Sequence, residues 1–192
     1  MKDHQQISPE LQARHAKSVA DYPFIKFMPN EYLMVDVKRS VWGLVKIWAI
    51  AIVASITFIA FAILVTRTAP ESAAPNVILI SIAMVVLSMA IAALATNVYR
   101  HNHLYITNER AIMRIQTSPF SYKFKNVELE NIEDCSYAKD GLVHSILNFG
   151  LIRLSTIGKE HTYTFTWVDN PRRQFETINP IIQEVDKRRR LH

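Results

Sequence analysis

The sequence is short of cysteine and glycine, with one and four respectively among 192 residues. A single cysteine excludes an internal disulfide framework and a multi-cysteine zinc site. Few glycines and only eight prolines exclude collagen-like and low-complexity chains. The Walker loop and the motifs G-x-G-x-x-G, G-x-S-x-G and H-E-x-x-H are also missing. We therefore expect neither enzymatic activity nor a bound cofactor.

Two long stretches lack charged residues altogether. Residues 47–66 and 72–99 contain no Asp, Glu, Lys or Arg. A helix of about 20 residues spans roughly 30 Å, the thickness of a bilayer hydrocarbon core. Core helices of a soluble protein and a signal peptide fit less well, because the runs are long and start after a polar segment. The sequence predicts a transmembrane helical hairpin over residues 41–99, with spans at about 44–66 and 76–98.

Basic residues concentrate at the outer ends of this hairpin, and the connecting turn has only Arg67. Because cytoplasmic flanks carry an excess of Lys and Arg, both chain termini are predicted to be cytoplasmic. The spans hold no ionisable residue, which argues against an ion pump, a channel or an intramembrane enzyme. The residues predicted to anchor the helix ends at the membrane interface are Lys38, Arg39, Trp42, Lys46, Tyr99 and Arg100.

The N-terminal segment, residues 1–40, is polar and has no long periodic pattern. Ser8 and Pro9 are suited to start a helix that runs to about Ala20, but its apolar side would be small. Residues 32–37 read as a short strand or as the lead-in to the first span. A flexible cytoplasmic tail is the preferred interpretation.

After residue 100 the hydrophobic period changes to two. Phe120, Tyr122 and Phe124 alternate with polar residues, as do Tyr163, Phe165 and Trp167, which predicts half-buried strands. Further strands are predicted at 104–107, 111–116, 132–137 and 150–157, and a short one at 144–147. A C-terminal helix over 171–190 carries an apolar stripe, and Pro180 is expected to kink or split it. The stripe members are Phe175, Ile178, Ile182 and Val185.

An ordered set of motifs resembles a known family. LYITNERAIMRI is followed by VELENIEDC, by LVHSILNFGLIRLSTIG and by a helix that starts at DNP. This order is similar to the bacterial pleckstrin-homology-like (PH-like) domain of membrane-anchored proteins, in which a pair of spans precedes the domain. The resemblance implies an α+β membrane protein of the bacterial inner membrane. Its hairpin would be followed, over residues 100–192, by a small antiparallel β barrel or sandwich closed by the C-terminal helix.

Two groups of basic residues are candidate sites for anionic lipid. Lys123 and Lys125 point away from the predicted aromatic face, and an uninterrupted cationic run ends the last helix, where each charge near an anionic leaflet contributes about 1 kcal/mol. A solvated helix end is the plain alternative for the run. Nucleic acid is not expected as a partner, because the chain from residue 104 onward has 13 basic and 11 acidic residues and therefore little excess positive charge. The members of the run are Lys187, Arg188, Arg189 and Arg190.

Histidine and cysteine give no recognisable metal site. His101 and His103 form an H-x-H pair, and His144 and His161 lie further on, but no carboxylate or cysteine joins them at ligand spacing. We expect no metal, and we expect Cys135 to be a buried small side chain.

The main functional hypothesis is a membrane-anchored, non-catalytic binding module at the cytoplasmic face. It would contact protein partners or anionic lipid, and self-association is compatible with exposed strand edges. The alternative is an accessory subunit of a membrane transport or secretion complex, with the spans packing against other subunits. Fold alone does not choose the ligand.

Overall fold

The structure is a computed structural model of the chain, and it describes residues 9–68, 70–157 and 162–190. Ser8, the predicted helix start, and His161 therefore lie outside the described residues, as does the side chain of Arg190. The chain divides into two compact units. One unit holds residues 1–39, 102–115 and 123–192, and the other holds residues 40–101 and 116–122.

Two long helices, α2 (Trp42–Thr68) and α3 (Ala74–Arg100), coincide with the predicted spans. A short 3-10 turn, Glu71–Ala73, leads into α3. The most apolar 18-residue window is only 17% buried in α2 and 11% buried in α3. Most residues of these apolar stretches are therefore not covered by other parts of the chain. Both helices are long and apolar enough to cross a membrane.

Small and hydroxylated residues form the contact between α2 and α3. Ala51 and Ser55 are buried on α2, and Ala92 is buried on α3. The hydroxyl of Ser55 hydrogen-bonds that of Ser88 across the two helices at 2.8 Å. Small side chains let two backbones approach closely, which is how apolar helices associate where no hydrophobic force acts between them.

The described residues form seven strands in two antiparallel sheets and a C-terminal helix, in agreement with the predicted fold class. The first sheet has the order β1-β2-β3-β4 and the second has the order β5-β6-β7. Helix α5 (Pro171–Arg190) follows β7 and packs on β5. The strands are β1 (Leu33–Lys38), β2 (His103–Thr107), β3 (Arg110–Ser118), β4 (Ser121–Glu128), β5 (Ile132–Ala138), β6 (Phe149–Thr156) and β7 (Thr162–Asp169).

Strand β1 precedes the long helices, yet it pairs with β2, which follows them. Lys38 lies opposite His103 and Leu33 lies opposite Thr107 in this antiparallel ladder. The helical hairpin is thus an insertion between two neighbouring strands of one sheet. We call the Lys38–His103 end of the ladder the helix-connected end, and the Leu33–Thr107 end the far end.

The N-terminal segment differs from the predicted flexible tail. Residues Pro9–Asp21 form helix α1, and β1 completes the first sheet. Residues 1–40 were expected to be separate from the β domain, but residues up to Arg39 group with that domain. The pairing of β1 with β2 is non-local, so no pattern within either strand reveals it.

One apolar core joins both sheets to α5. Ile178 and Ile182 of α5 are buried against the core, and Phe175 and Val185 pack beside them, so the predicted stripe is confirmed. Despite Pro180, α5 remains one helix of 20 residues and is not split. The largest buried core side chains from the strands are Leu104, Ile106, Ile152, Leu154 and Phe165.

Two local predictions from the hydrophobic pattern were wrong. Phe120, Tyr122 and Phe124 were expected to face the core, but they are 97%, 61% and 40% exposed, because no other described element covers the face of β4 that carries them. The short strand expected at 144–147 is instead part of helix α4 (Leu142–Ile146). Alternation of apolar residues shows only that a strand has two unlike faces, and it does not show which face is covered.

Candidate binding surfaces

A buried carboxylate ties the N-terminal segment to the turn between β2 and β3. Glu31 is fully buried and accepts hydrogen bonds from Arg110 Nε and Thr107 Oγ1, both at 2.8 Å, and from the Met28 amide at 2.7 Å. Arg110 Nη2 also donates to Glu31 Oε2 at 3.0 Å and to the Lys26 carbonyl at 2.6 Å. Thr107 and Arg110 belong to the LYITNERAIMRI motif of the family resemblance. Their role here is structural.

The balance of forces on Glu31 keeps it ionised. Burial by itself raises the pKa of the carboxyl, but the hydrogen bonds from Arg110, the Met28 amide and Thr107 outweigh burial and hold the pKa below its ordinary value. Sequence reasoning missed this residue, because its partners lie 76 and 79 positions away. No local signal in the MPNEY stretch marks Glu31 as buried.

A second polar cluster lies at the helix-connected end of the first sheet. His103 Nδ1 lies 2.8 Å from Asp36 Oδ1, and the His103 ring stacks on Tyr105 with centroids 5.3 Å apart. Tyr22 donates to Asp36 Oδ2 at 3.4 Å. Burial, followed by the Asp36 carboxylate, raises the pKa of both the Tyr22 and the Tyr105 hydroxyl, so both stay protonated. This cluster packs α1 and the segment after it onto the sheet.

The predicted interface anchors take different positions. Lys46 and Arg100 are exposed at the outer ends of α2 and α3. Tyr99 donates to the Ser40 carbonyl at 2.8 Å, and its ring lies directly against Gly43. A side chain at position 43 would collide with that ring, so the glycine permits the close approach. Tyr99 therefore joins the ends of the two helices.

The other three predicted anchors lie where β1 leads into α2. Trp42 is the first residue of α2 and is half-buried. Lys38 is largely exposed, and its ammonium is 3.8 Å from Asp36. Arg39 forms a bridge with Val168 of β7, and its guanidinium lies 5.6 Å from the Phe165 ring centroid. Arg39 thus links the two sheets.

The cationic run at the end of α5 has acidic partners. Arg188 Nε is 3.3 Å from Glu184, and Arg189 pairs with Asp186. Arg189 Nη1 also donates to the Glu130 carbonyl at 2.8 Å, in the 3-10 turn after β4. Lys187 lines a cavity together with Glu133, Asp134 and Asp186. Much of the positive charge is therefore compensated within the chain.

The run also lies at the far end of the β domain. Arg188 shares a cavity with Asn108 and Glu109, which form the turn that follows Thr107. The chain enters and leaves the long helices at the opposite end of that ladder. The run and the helix-connected end therefore lie at opposite ends of the β1–β2 ladder.

Lys123 and Lys125 lie on β4, the edge strand of the first sheet. Both are exposed, and the ammonium of Lys125 is 5.7 Å from the ring centroid of Tyr163. The structure does not bring these two lysines together with the run on α5. They belong to the surface formed by the exposed residues of β4, whose last residue, Glu128, lines the same cavity as Arg188.

The described residues contain no group of three or more His, Cys, Asp or Glu placed to hold a metal ion. His101 Nδ1 hydrogen-bonds the Asn97 carbonyl at 2.7 Å, and His144 packs on Phe149 with ring centroids 4.4 Å apart. Cys135 is buried, and burial followed by the charge of Asp134 raises the pKa of its thiol to about 12. A thiol with such a pKa is a poor nucleophile near neutral pH.

In the part of the chain that the structure describes, seven antiparallel strands form two sheets followed by a C-terminal helix, which is the layout of a PH-like domain. The family model described as "Bacterial PH domain" matches residues 83–184, more than half of the chain. The chain therefore belongs to the bacterial PH domain family, as the resemblance implied. The match starts inside α3 and leaves out β1, which the structure adds to the domain.

Among solved structures, the chain is similar to a DUF1696 family protein with a pleckstrin-homology domain from Shewanella loihica PV-4. The two are 13% identical with a TM-score of 0.34, and the alignment covers 44% of this chain and 70% of that chain. No curated protein matches.

Proposed function

We propose that this chain is a membrane-anchored PH-domain protein of the bacterial inner membrane, with both termini in the cytoplasm. Helices α2 and α3 span the bilayer and hold the domain at the cytoplasmic leaflet. The observation that carries the proposal is the position of the hairpin between β1 and β2. These strands pair over their whole length, so the chain must return to the side from which it left.

The test is fractionation combined with protease protection. The full chain should sediment with membranes and need detergent for release. A protease added outside intact cells should cleave neither α1 nor α5, whereas the same protease should cleave both after the inner membrane is permeabilised. A chain that stays in the supernatant without detergent, or an α5 that is cut from outside, would refute the anchoring.

The proposed activity is binding, without catalysis. Three groups that sequence analysis considered for chemistry are engaged otherwise. His101 hydrogen-bonds a backbone carbonyl, His103 pairs with Asp36, and Cys135 is buried with a raised pKa. A binding module anchored beside its partner needs no catalytic step, because confinement to one membrane raises the effective concentration of that partner.

The edge strand β4 is the surface that best suits a protein partner. An edge strand offers backbone groups for a further strand, and aromatic side chains on it supply contact area. Tyr122 is 61% exposed, and Lys123 and Lys125 extend along the same strand. An extended segment with acidic residues fits this surface by charge. Edge lysines also deter uncontrolled strand pairing, which favours a partner whose charge is complementary.

Site-specific photo-crosslinking tests this surface. A photoreactive amino acid at Lys123 should give a protein adduct in native membranes, whereas the matched exposed position Glu133 on β5 should give none. Adducts with the mass of a lipid at position 123 would show that the β4 surface binds anionic lipid instead of a protein. A partner that co-purifies in fixed ratio with α2 and α3 alone would favour the alternative of a subunit within a larger complex. Equal adducts at both positions would contradict the β4 surface.

A further inference from the structure

Helix α4 exposes an apolar face that the binding function of β4 does not use. Leu142, Val143 and Ile146 are 83%, 60% and 79% exposed. Residues three and four apart share one face of a helix, so these side chains form one patch on a single helical turn. Exposed apolar groups that cluster in this way mark contact sites, unlike isolated exposed residues.

The other side of α4 is fixed to the β domain by stacked aromatic rings. His144 packs on Phe149 with centroids 4.4 Å apart and lies 6.2 Å from Trp167. Phe149 and Trp167 stack in parallel at 4.8 Å. Lys139 Nζ donates to Asn148 Oδ1 at 2.6 Å and closes the base of the loop. The apolar face of α4 is therefore held outward by a rigid support.

A β-bulge in β7 builds this support. The register between β6 and β7 shifts between Gly150 and Leu151, and Trp167 is the extra residue, with a φ of 62°. Phe165 and Val168 are buried in the core instead, so the bulge releases Trp167 from the alternating pattern. A positive φ costs free energy for a bulky residue such as Trp167. Such a conformation persists only where the surrounding structure enforces it. Here it supplies the ring on which Phe149 stacks.

The base of α4 lies close to the end of β1, three residues before α2 begins. Phe149, three residues beyond α4, lies opposite Asp169, and the adjacent Val168 bridges Arg39. Arg39 is the last residue of the β domain before the chain enters α2 at Trp42. Two strand spacings, roughly 10 Å, therefore separate the base of α4 from the point where the chain turns into the membrane.

We propose that α4 lies in the headgroup region of the bilayer that α2 and α3 cross, with Leu142, Val143 and Ile146 directed toward the acyl chains. The inference rests on the proposed membrane anchoring. Apolar side chains at the boundary between headgroups and acyl chains are stabilised by the area they remove from water. The contact fixes the orientation of the PH domain on the leaflet.

The geometry points to a second contact of the same kind at the tip between β3 and β4, on independent grounds. His103 pairs with Arg114, so Ile115 to Ser118 extend past the start of β2 in the direction of the helix-connected end. Residues 116–122 belong to the same compact unit as α2 and α3. Phe120 at this tip is 97% exposed, and aromatic rings are favoured at the membrane interface.

Fluorescence quenching in proteoliposomes tests both contacts with the full chain. The variants Leu142→Cys, Phe120→Cys, Val53→Cys and Glu133→Cys are each labelled with an environment-sensitive fluorophore. Vesicles of phosphatidylethanolamine and phosphatidylglycerol carry nitroxides on the headgroup or deep in the acyl chain. Labels at 142 and 120 should lose most of their emission to the headgroup nitroxide, and a label at Glu133 should keep its emission. Cys135 is buried, so the wild-type protein should take up little fluorophore and serves as the control for background labelling.

The Val53 label separates this inference from the proposed function. Val53 is 63% exposed in the middle of α2, so the deep nitroxide should quench it if the helices span the bilayer. Quenching at Val53 without quenching at 142 overturns the α4 contact and leaves the anchoring intact. Absence of quenching at Val53 refutes the anchoring itself. A blue shift at 142 without nitroxide quenching would show that another protein surface covers α4, and would also overturn the proposal.

Discussion

Glu31 carries a charge in a site with no solvent exposure, and this determines how the N-terminal segment responds to acid. Its pKa is lower in the folded chain than in the unfolded chain, where the ordinary value is 4.5. The stabilisation by the carboxylate is therefore complete above about pH 4.5, and it is lost as the pH falls through the lowered folded-state pKa.

Glu31→Gln is expected to destabilise the protein by about 3 kcal/mol near neutral pH, because it leaves Arg110 buried beside a neutral partner. The variant should also lose the part of the acid sensitivity that Glu31 contributes. Thermal unfolding in detergent between pH 3 and 7 measures both effects. Glu130→Gln, at an exposed position, should change neither, and an acid response that persists unchanged in Glu31→Gln would refute the assignment.

Cys135 should resist thiol reagents in the folded protein. Burial raises the pKa of its thiol to about 12, so the thiolate is scarce at pH 8 and the sulfur is covered as well. Mass spectrometry after maleimide treatment should show no adduct until denaturant is added. Glu133→Cys, two residues away and exposed, should react at once under the same conditions. Labelling of native Cys135 at a similar rate would contradict its burial.

Two basic residues of α5 are expected to contribute differently to stability, one through an ion pair within the helix and one through a tertiary hydrogen bond. Arg188 pairs only within the helix, at an exposed i,i+4 position, whereas Arg189 also donates to the Glu130 carbonyl on another element. Arg188→Ala should cost about 0.3–0.5 kcal/mol. Arg189→Ala should cost about 1 kcal/mol, since it removes a tertiary hydrogen bond. Chemical denaturation of the two variants side by side measures the difference, and equal losses would argue against the link between α5 and the turn after β4.

The elements that the sequence predicted well are those whose pattern is local. The charge-free runs predicted α2 and α3, and the apolar stripe from Phe175 to Val185 predicted α5. Strand β4 shows the limit, because its aromatic alternation was read as a core face and is exposed. Trp167 shows a second limit of sequence patterns. The bulge at Trp167 arises from the pairing of β7 with β6, and it breaks the alternation that the sequence of β7 suggests.

Of the candidate sites, composition alone identified the basic groups but not their surroundings. Lys123 was predicted from alternation and is exposed as expected. The sequence around the run at the end of α5 does not reveal that Asp186 and the Glu130 carbonyl bind Arg189, or that the run lies near the far end of the ladder. Such neighbours are set by tertiary contacts between distant segments.

At the scale of the whole molecule, the hairpin is a removable insertion in a continuous sheet. Lys38 and His103 are paired, so the four-residue connection Arg39-Asn-Gly-Asn102 is long enough to join β1 to β2. Replacing residues 40–101 with Asn-Gly should yield a folded domain that stays in solution without detergent. Size-exclusion chromatography and circular dichroism measure this outcome.

A fragment that starts at residue 100 is the matched comparison. It keeps β2 to α5 but lacks β1 and Glu31, so it exposes the edge of β2 and leaves the buried part of Arg110 without its carboxylate. This fragment should aggregate or unfold under conditions in which the Asn-Gly version remains monomeric. Equal behaviour of the two would show that β1 is dispensable to the domain.

If α2 and α3 cross a bilayer as proposed, the position of the hairpin between β1 and β2 makes folding of the β domain depend on correct insertion of both helices. Strand β1 leaves the ribosome before α2 and waits for its neighbour until α3 has been made. If α3 failed to re-cross the bilayer, β1 and β2 would be stranded in separate compartments and the ladder between them could not close. Only a correctly threaded chain can complete its fold, so misthreaded copies would remain open to proteolysis.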